Sequence, residues 1–269
     1  MLRFSGTGVT DVGRVRDHNE DSAFLGPYVA LVADGVGGAA AGEVASATVA
    51  YVVSAIARLR ADQDPAAVIA EAIEAARESL QVGIDADLQR AGMATTLTAL
   101  ATDGTKVVLG HVGDSRGYLF RAGGLQQITT DHTYVQQLVA SGQLDPAAVR
   151  RHPWRNVVLR SLHGGPLEVD QSPDVVVLDL VPGDRLLLCS DGLTDLVEDA
   201  AISEILRLED PRSAAAQLVE AALDAGGTDN VTCLVFDLVD GPRVVGDGLL
   251  LGAVRDVVNI VDPAAVRAR

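Results

Sequence analysis

The 269-residue sequence predicts an α+β fold, in which antiparallel sheets carry helices packed outside them. Two candidate helices follow one another early and the candidate strands come in consecutive groups, whereas a doubly wound fold would alternate strand and helix strictly. Hydrophobic residues make up 48% of the chain and aromatics only 3%, so the core must be built mostly from Ala, Val and Leu, which suits layered sheets and helices. The turn dipeptides Asp103-Gly104, Gly123-Gly124 and Pro182-Gly183 fall between neighbouring apolar runs, as hairpin connections do.

In chain order, the β-branched run Val29–Ala33 reads as a strand, and the Ala-rich stretches Gly42–Leu59 and Pro65–Leu88 have helical spacing. Leu97–Ala101 and Lys106–His111 are the next strands, and Thr133–Ser141 is a short helix. The segment from about Ser141 to Pro173 lacks periodicity. It carries Pro146, Pro153 and Pro166 together with Arg150, Arg151 and Arg155, and reads as an irregular flap. Strands return at Asp174–Leu180 and Arg185–Cys189. A helix at Pro211–Ala225 follows, with Pro near its start and Gly226-Gly227 past its end, and then a last strand at Val231–Leu238. After Asp240 the pattern changes, so the expected division is one domain over 1–240 and a tail or final packed element over 241–269. One large domain fits the usual range of roughly 100–200 residues per domain with some excess.

Acidic residues outnumber basic ones 37 to 21, giving a formal charge of −16, which argues against a nucleic-acid partner held through its phosphates. No stretch of about 18 uninterrupted apolar residues is present, so no membrane partner is expected. Cys189 and Cys233 sit inside apolar runs and read as buried thiols, and with no secretory signal in view the expected location is cytoplasmic.

The acidic residues are informative by position. Val29–Ala33 ends in Asp34-Gly35, Val107–Val112 leads into Gly113-Asp114, Arg185–Cys189 leads into Ser190-Asp191-Gly192, and Asp229-Asn230 precedes Val231. One Asp-Gly after a strand is ordinarily a turn. Four such junctions make a gathered carboxylate site the sharper reading. Just before the first strand, Arg16-Asp17-His18-Asn19-Glu20-Asp21 adds adjacent carboxylates and an arginine whose planar fork matches phosphate oxygens. Carboxylates without clustered Cys or His favour Mg²⁺ or Mn²⁺ over zinc.

These segments resemble the metal-dependent (type 2C) serine/threonine protein phosphatases, in their bacterial branch. The matching pieces are Arg16 through Asp21, Ala33–Gly38 as ADGVGG, Gly110–Arg116 as GHVGDSR, Thr130–Thr133 as TDHT with Leu138 and Gly142 downstream, Leu187–Leu193 as LLCSDGL, and Gly227–Thr232 as GTDNVT. They span most of the chain to about Leu238. The resemblance implies a four-layer α-β-β-α sandwich, two antiparallel sheets flanked by helices, with metals in a cleft at one end.

It further implies that Asp34 bridges two Mn²⁺ or Mg²⁺ ions, with the Gly35 carbonyl and Glu20 on one and Asp191 and Asp229 on the other. Asp21 resembles the group that orients the attacking water, and Arg16 the residue that grips substrate phosphate. Asp114 with Asp191 resembles a site for a third ion, and Asn230 resembles a supporting residue rather than a ligand. Two cations a few ångströms apart can generate a nucleophile from water at neutral pH, so neither a Cys nor a Ser nucleophile is needed. The implied partners are phosphorylated proteins, including serine/threonine kinases and phosphorylated regulators.

Two departures stand out. Some members carry a His after the Asp-Gly that is Asp34-Gly35 here, whereas this chain has Val36, which leaves the general acid open among His18, His111 and His132. Leu162-His163-Gly164-Gly165 replaces a shorter Leu-Gly. Ser115 and Ser190 lie beside expected ligands, but not in a nucleophile elbow, and read as local hydrogen-bonding residues. Lys106 is the only lysine, so Gly35–Gly38 is no P-loop. Two other functions compete: a pseudophosphatase that binds phosphorylated partners without turnover, and a hydrolase of small phosphate esters. Retention of every matched carboxylate argues against the pseudophosphatase.

Overall fold

A computed structural model describes residues 1–36, 41–165 and 172–264. Gly37, Gly38 and Pro166, named above, lie outside the described residues, as does the end of the 241–269 segment. Thirteen strands are described: β1 Leu2–Asp11, β2 Asp21–Leu25, β3 Val29–Val36, β4 Ala94–Thr95, β5 Leu97–Thr102, β6 Val107–Val112, β7 Arg116–Arg121, β8 Gly124–Gln127, β9 Leu162–His163, β10 Asp174–Leu178, β11 Arg185–Cys189, β12 Val231–Asp240 and β13 Leu249–Gly252. The α-helices are α1 Gly42–Leu59, α2 Pro65–Ala86, α3 Tyr134–Ala140, α4 Asp191–Thr194, α5 Asp199–Ile205 and α6 Pro211–Asp224.

The strands form two sheets. One has the order β1-β12-β11-β7-β8, the other β10-β6-β5-β3-β2-β13 with β4 and β9 attached beside β3, and every described pairing is antiparallel. Three apolar layers hold the four structural layers together, and strand alternation shows why the runs are apolar throughout. In β3, Val29 and Leu31 face α1 and α2 while Ala30 and Val32 face the opposite sheet. In β12, Val231, Cys233 and Val235 face the late helices while Leu234, Phe236 and Leu238 face between the sheets. The α+β sandwich expected from the sequence is the architecture found.

Several local expectations change. Pro182-Gly183 does not close a hairpin: β10 pairs with β6 and β11 with β12 and β7, so this turn carries the chain from one sheet to the other. The sequence reading missed β1, β2, β4, β7, β8, β9, β13 and the short helices α4 and α5. The chain after Asp240 is packed at least to Val261: β13 pairs with β2, and Ala253, Val254 and Val261 are buried in the core beneath α1. Among the described residues α1 is long and apolar enough to cross a membrane, with mean hydropathy 1.2, but 67% of it is buried in this fold. Both cysteines are buried free thiols and lie opposite each other on β11 and β12.

The described part of the flap, 141–165, holds one 3-10 helix, Pro146–Arg151, and the short strand β9, and is otherwise irregular; it is anchored at two places. Residues 157–159 bond to 132–134, through Tyr134 N–H to the Val157 carbonyl at 2.9 Å and Leu159 N–H to the His132 carbonyl at 2.7 Å. Farther along, Leu162 is fully buried on β9, which pairs with β4.

Candidate metal centre

Strand directions gather the carboxylates. β3, β6 and β11 run toward one end of the sandwich and β2 and β12 start from it, so Asp34, Asp114, Asp191, Asp21 and Asp229 all come to that end. Asp34 and Gly35 lie inside β3, which runs on to Val36, so the strand does not stop at the Asp-Gly as the sequence implied. Asp114 sits in the turn between β6 and β7, Asp191 opens α4, and Asp229 precedes β12 by two residues. A cleft of about 230 Å³ results, lined by Arg16, Glu20, Asp34, Gly35, Val36, Asp114, Asp191, Asp229 and Asn230, with Asn156 and Val158 contributed by the flap.

Asp21 lies directly behind this wall. It is fully buried and pairs in register with Asp34, two carboxylates opposite each other across antiparallel strands. Like charges so placed repel. Asp21 Oδ2 accepts hydrogen bonds from Ser190 Oγ at 2.7 Å and Thr232 Oγ1 at 2.6 Å. Thr232 stands in a relay in which Asn19 donates to the Thr10 hydroxyl at 2.9 Å and the Thr10 and Thr232 hydroxyls meet at 2.7 Å. Asp21 Oδ1 is buried and, among the described residues, has no hydrogen-bond partner.

The electrostatics are those of a repelling cluster. Burial pushes Asp21 up to about 6, against the two hydroxyl hydrogen bonds that pull it down. Burial, then the Asp131 charge, pushes Asp114 up to about 7. Asp34 and Asp191 lie well above the ordinary carboxylate range, first through burial and then through neighbouring aspartates, Asp21 foremost for Asp34 and Asp114 for Asp191. Glu20 is also raised, by burial and by Glu43. Buried ionised carboxylates are costly unless something positive joins them.

The donor set fits hard cations, being oxygen throughout, partly desolvated and mutually repelling, with one buried carboxylate oxygen unbonded. Among the described residues no three Asp, Glu, His or Cys side chains already converge at ligand spacing, so the carboxylates ring the cleft and must turn inward to share an ion. Two glycines shape the approach. A Cβ on Gly35 would meet the Gly42 backbone at 2.5 Å, and one on Gly42 would meet Glu20 Oε2 at 2.5 Å. Gly42 thus lets Glu20 reach the cleft beside the start of α1, a requirement that no local pattern in the chain announces.

Arg16 stands at the rim and donates to Asp229 Oδ2 at 2.7 Å. Asn230 supports rather than lines by chance: its Oδ1 accepts from Glu20 N–H at 2.8 Å, and its Nδ2 donates to the Val12 and His18 carbonyls, each at 2.9 Å. That one side chain pins the loop carrying Arg16 and Glu20. Ser115 and Ser190 are local hydrogen-bonding residues, Ser115 meeting the Thr96 hydroxyl at 2.8 Å. Asp114 has no ion pair with Arg116, whose guanidinium instead grips Asp131 through two nitrogens at 2.6–3.0 Å.

None of the three histidine candidates lines the cleft. His111 is buried between the Thr98 hydroxyl and the Thr130 carbonyl, and burial followed by its neighbour His132 lowers it to about 4. His132 is held by Gly113 N–H at 3.1 Å and by Asp174 at 3.2 Å. His18 is exposed, and its backbone carbonyl takes the Asn230 bond. Where the resemblance led us to look for a histidine, Val36 lines the cleft.

Known proteins resemble this chain in sequence and in overall fold. The sequence model of the protein phosphatase 2C family matches residues 16–223. The serine/threonine protein phosphatase PstP of Mycobacterium tuberculosis is 41% identical over 274 residues, covering 100% of this chain and 52% of the relative, so the chain spans about half that relative's length. The serine/threonine phosphatase stp of Listeria innocua is 34% identical over 239 residues, covering 85% of this chain and 93% of the relative. Among solved structures, the M. tuberculosis phosphatase PstP/Ppp superposes with a TM-score of 0.80 at 42% identity, covering 89% of this chain and 99% of that one. The catalytic domain of PstP in complex with two manganese ions does so with a TM-score of 0.80 at 40% identity, covering 89% and 100%. With its own fold and most of its length matched, this chain belongs to the protein phosphatase 2C family.

Proposed function

We propose that this chain hydrolyses phosphoserine and phosphothreonine in proteins with Mn²⁺ or Mg²⁺ as cofactor. The observation that carries the reading is the ring of carboxylates drawn from both sheets around one cleft, with an arginine at its rim. The relatives named as serine/threonine phosphatases, one with two manganese ions in its catalytic domain, support it. Glu20, Asp34, the Gly35 carbonyl, Asp191 and Asp229 would hold the two core ions, and Asp114 with Asp191 a third. Bound there, the cations supply Lewis acidity and bring water toward the nucleophilic form.

The remaining work falls to the chain. Asp21, fixed by Ser190 and Thr232, stands directly behind Asp34, where it would help orient the attacking water. Arg16 can exchange its Asp229 partner for a phosphate oxygen, holding the phosphoryl group and offsetting its charge. The flap residues Asn156 and Val158 close one side of the cleft and limit its water.

The test is turnover of a phosphopeptide panel by purified protein with Mn²⁺, with Mg²⁺ and with excess EDTA, beside a folded Asp191→Asn variant. Activity is expected only with metal, and the variant is expected to lose nearly all of it. Full activity in EDTA, or wild-type turnover by the folded variant, removes the mechanism.

A further inference from the structure

The flap breaks the charge pattern of the chain. Between residues 141 and 165 stand four arginines, Arg150, Arg151, Arg155 and Arg160, against the single Asp145, in a protein of net charge −16. It also carries the chain's only tryptophan, Trp154, which is 58% exposed. An aromatic of that size left in water is a costly choice for a fold with so few aromatics.

Trp154 is held rather than loose. Its ring stands edge-on to Tyr134, with centroids 5.5 Å apart, and to His152 at 6.0 Å, and its N–H bonds to His152 Nδ1 at 3.2 Å through the backbone. The turn around it is closed by Arg155 N–H to the His152 carbonyl and Val157 N–H to the Trp154 carbonyl, both at 3.2 Å. Val157 and Leu159 extend the exposed apolar surface.

The flanking arginines differ in how their charge is answered. Arg155 faces Asp195 and Arg160 faces Asp174, each at 3.6 Å. Arg150 donates to the carbonyls of Asp195 and Val197, at 3.2 and 3.5 Å, and meets no carboxylate at ion-pair distance among the described residues. Arg151 is exposed, and among the described residues its side chain has no hydrogen bond or ion pair. Arg151 therefore offers a positive charge beside a rigid aromatic face, and Arg150 adds to the local positive charge while its guanidinium is turned to the Asp195 and Val197 carbonyls.

The position of this face relative to the cleft gives it a use. Asn156, two residues after Trp154, lines the cleft, and two residues of chain span at most about 7 Å. A substrate held at its phosphorylated residue would lay its neighbouring two or three residues over the turn, since an extended peptide advances about 3.3 Å per residue. Exposed tryptophan and arginine are the residue types that dominate binding surfaces, and arginine clusters recognise acidic motifs.

We propose that Trp154 and Arg151, with Arg150, form a docking surface for acidic residues that flank the phosphorylated residue of a protein substrate. The assignment rests on the phosphoprotein reading above and narrows it: the preferred sites carry Asp or Glu within a few positions, and Trp154 packs on the aliphatic part of the same segment. Charge complementarity selects this partner, because the chain as a whole is acidic whereas this turn gathers arginines beside an exposed aromatic.

Trp154 supplies its own reporter. Short peptides carrying a non-hydrolysable phosphonate mimic of phosphothreonine, flanked either by Asp and Glu or by Lys, are titrated with Mn²⁺ while tryptophan emission is followed. The acidic peptide is expected to change the emission saturably and to bind about tenfold more tightly than the basic one, with the preference shrinking at high salt. Arg151→Glu should remove that preference, and Trp154→Leu should weaken acidic-peptide binding measured by calorimetry while hydrolysis of a small phosphate ester stays unchanged. Equal affinity for the two peptides, or emission indifferent to both, overturns the proposal. So does emission that depends on protein concentration without peptide, which would assign the surface to a second copy of the chain. Phosphopeptide turnover read in parallel tests the enzymatic reading separately, because the emission reports contact whether or not hydrolysis occurs.

Discussion

Asp21→Asn should make the metal-free protein more stable while making it a poorer enzyme. Moving a fully buried carboxyl from 3.8 in the unfolded chain to about 6 in the fold costs about 3 kcal/mol at a pH well above both values. The sign follows from proton counts: between these values the folded state holds the extra proton, so wild-type stability falls as pH rises through that window and the penalty is complete above it. Asparagine carries no such penalty, and it also relieves Asp34, whose largest charged neighbour is Asp21. Against this stands the weakening of two hydroxyl-to-carboxylate bonds, a loss of about 1 kcal/mol. The net gain is about 2 kcal/mol, or a rise in Tm of about 4–8 °C for a chain of this size. Thermal unfolding in EDTA at about pH 8 should show it, and the gap should close by about pH 4 as wild-type Asp21 takes up its proton. A variant less stable than wild type in EDTA at the higher pH, or a gap that ignores pH, refutes the reasoning.

Arg16→Ala should lower kcat/KM on a phosphopeptide by about 10–100-fold with metal affinity nearly unchanged, and calorimetry beside kinetics checks it: collapse of metal affinity with full efficiency at saturating metal contradicts the role. Asp114→Asn should reduce turnover while a metal titration still shows two tight sites, and loss of a tight site would place Asp114 in the core pair instead. Asn230→Ala removes the partners of one N–H and two carbonyls and should cost about 2–4 kcal/mol, read as a lower Tm, with a fall in activity at temperatures where the variant is still folded; an unaltered Tm would deny it the pinning role.

The doubly buried strands were the easiest part to read. Arg185–Cys189 and the helix Gly42–Leu59 have the bounds their apolar runs gave, because both faces of the strand and most of the helix lie in cores. β1 was invisible for the opposite reason. It is an edge strand, polar on its outer side, with Gly6 and Gly8 where a Cβ would meet the β12 backbone or Leu234 at 2.2–2.3 Å, and these read as loop signals in a single sequence. The acidic residues at the strand ends were legible because Asp beside Gly interrupts an apolar run. What joins them was not. The cross-sheet pairings of Arg16 with Asp229 and Asn230 with Glu20 span more than 200 residues, and no local pattern encodes them.

The same geometry explains why so much apolar structure surrounds so few polar groups. Asp34 comes from one sheet, Asp191 and Asp229 from the elements of the other, and Asp114 from the turn that joins the two, so neither sheet alone assembles the cleft. The apolar layer between the sheets, with Leu186, Leu188, Leu234 and Phe236 fully buried, fixes their separation, and so resists the outward relaxation by which repelling carboxylates would otherwise lower their energy. The repulsion is retained in the fold and appears as raised proton affinity, which makes protons and cations competitors for the same oxygens. Lowering the pH should therefore weaken metal binding before it disturbs the sandwich, because the groups that take up protons first are the ones the cations need, and the layers that hold them carry no charge.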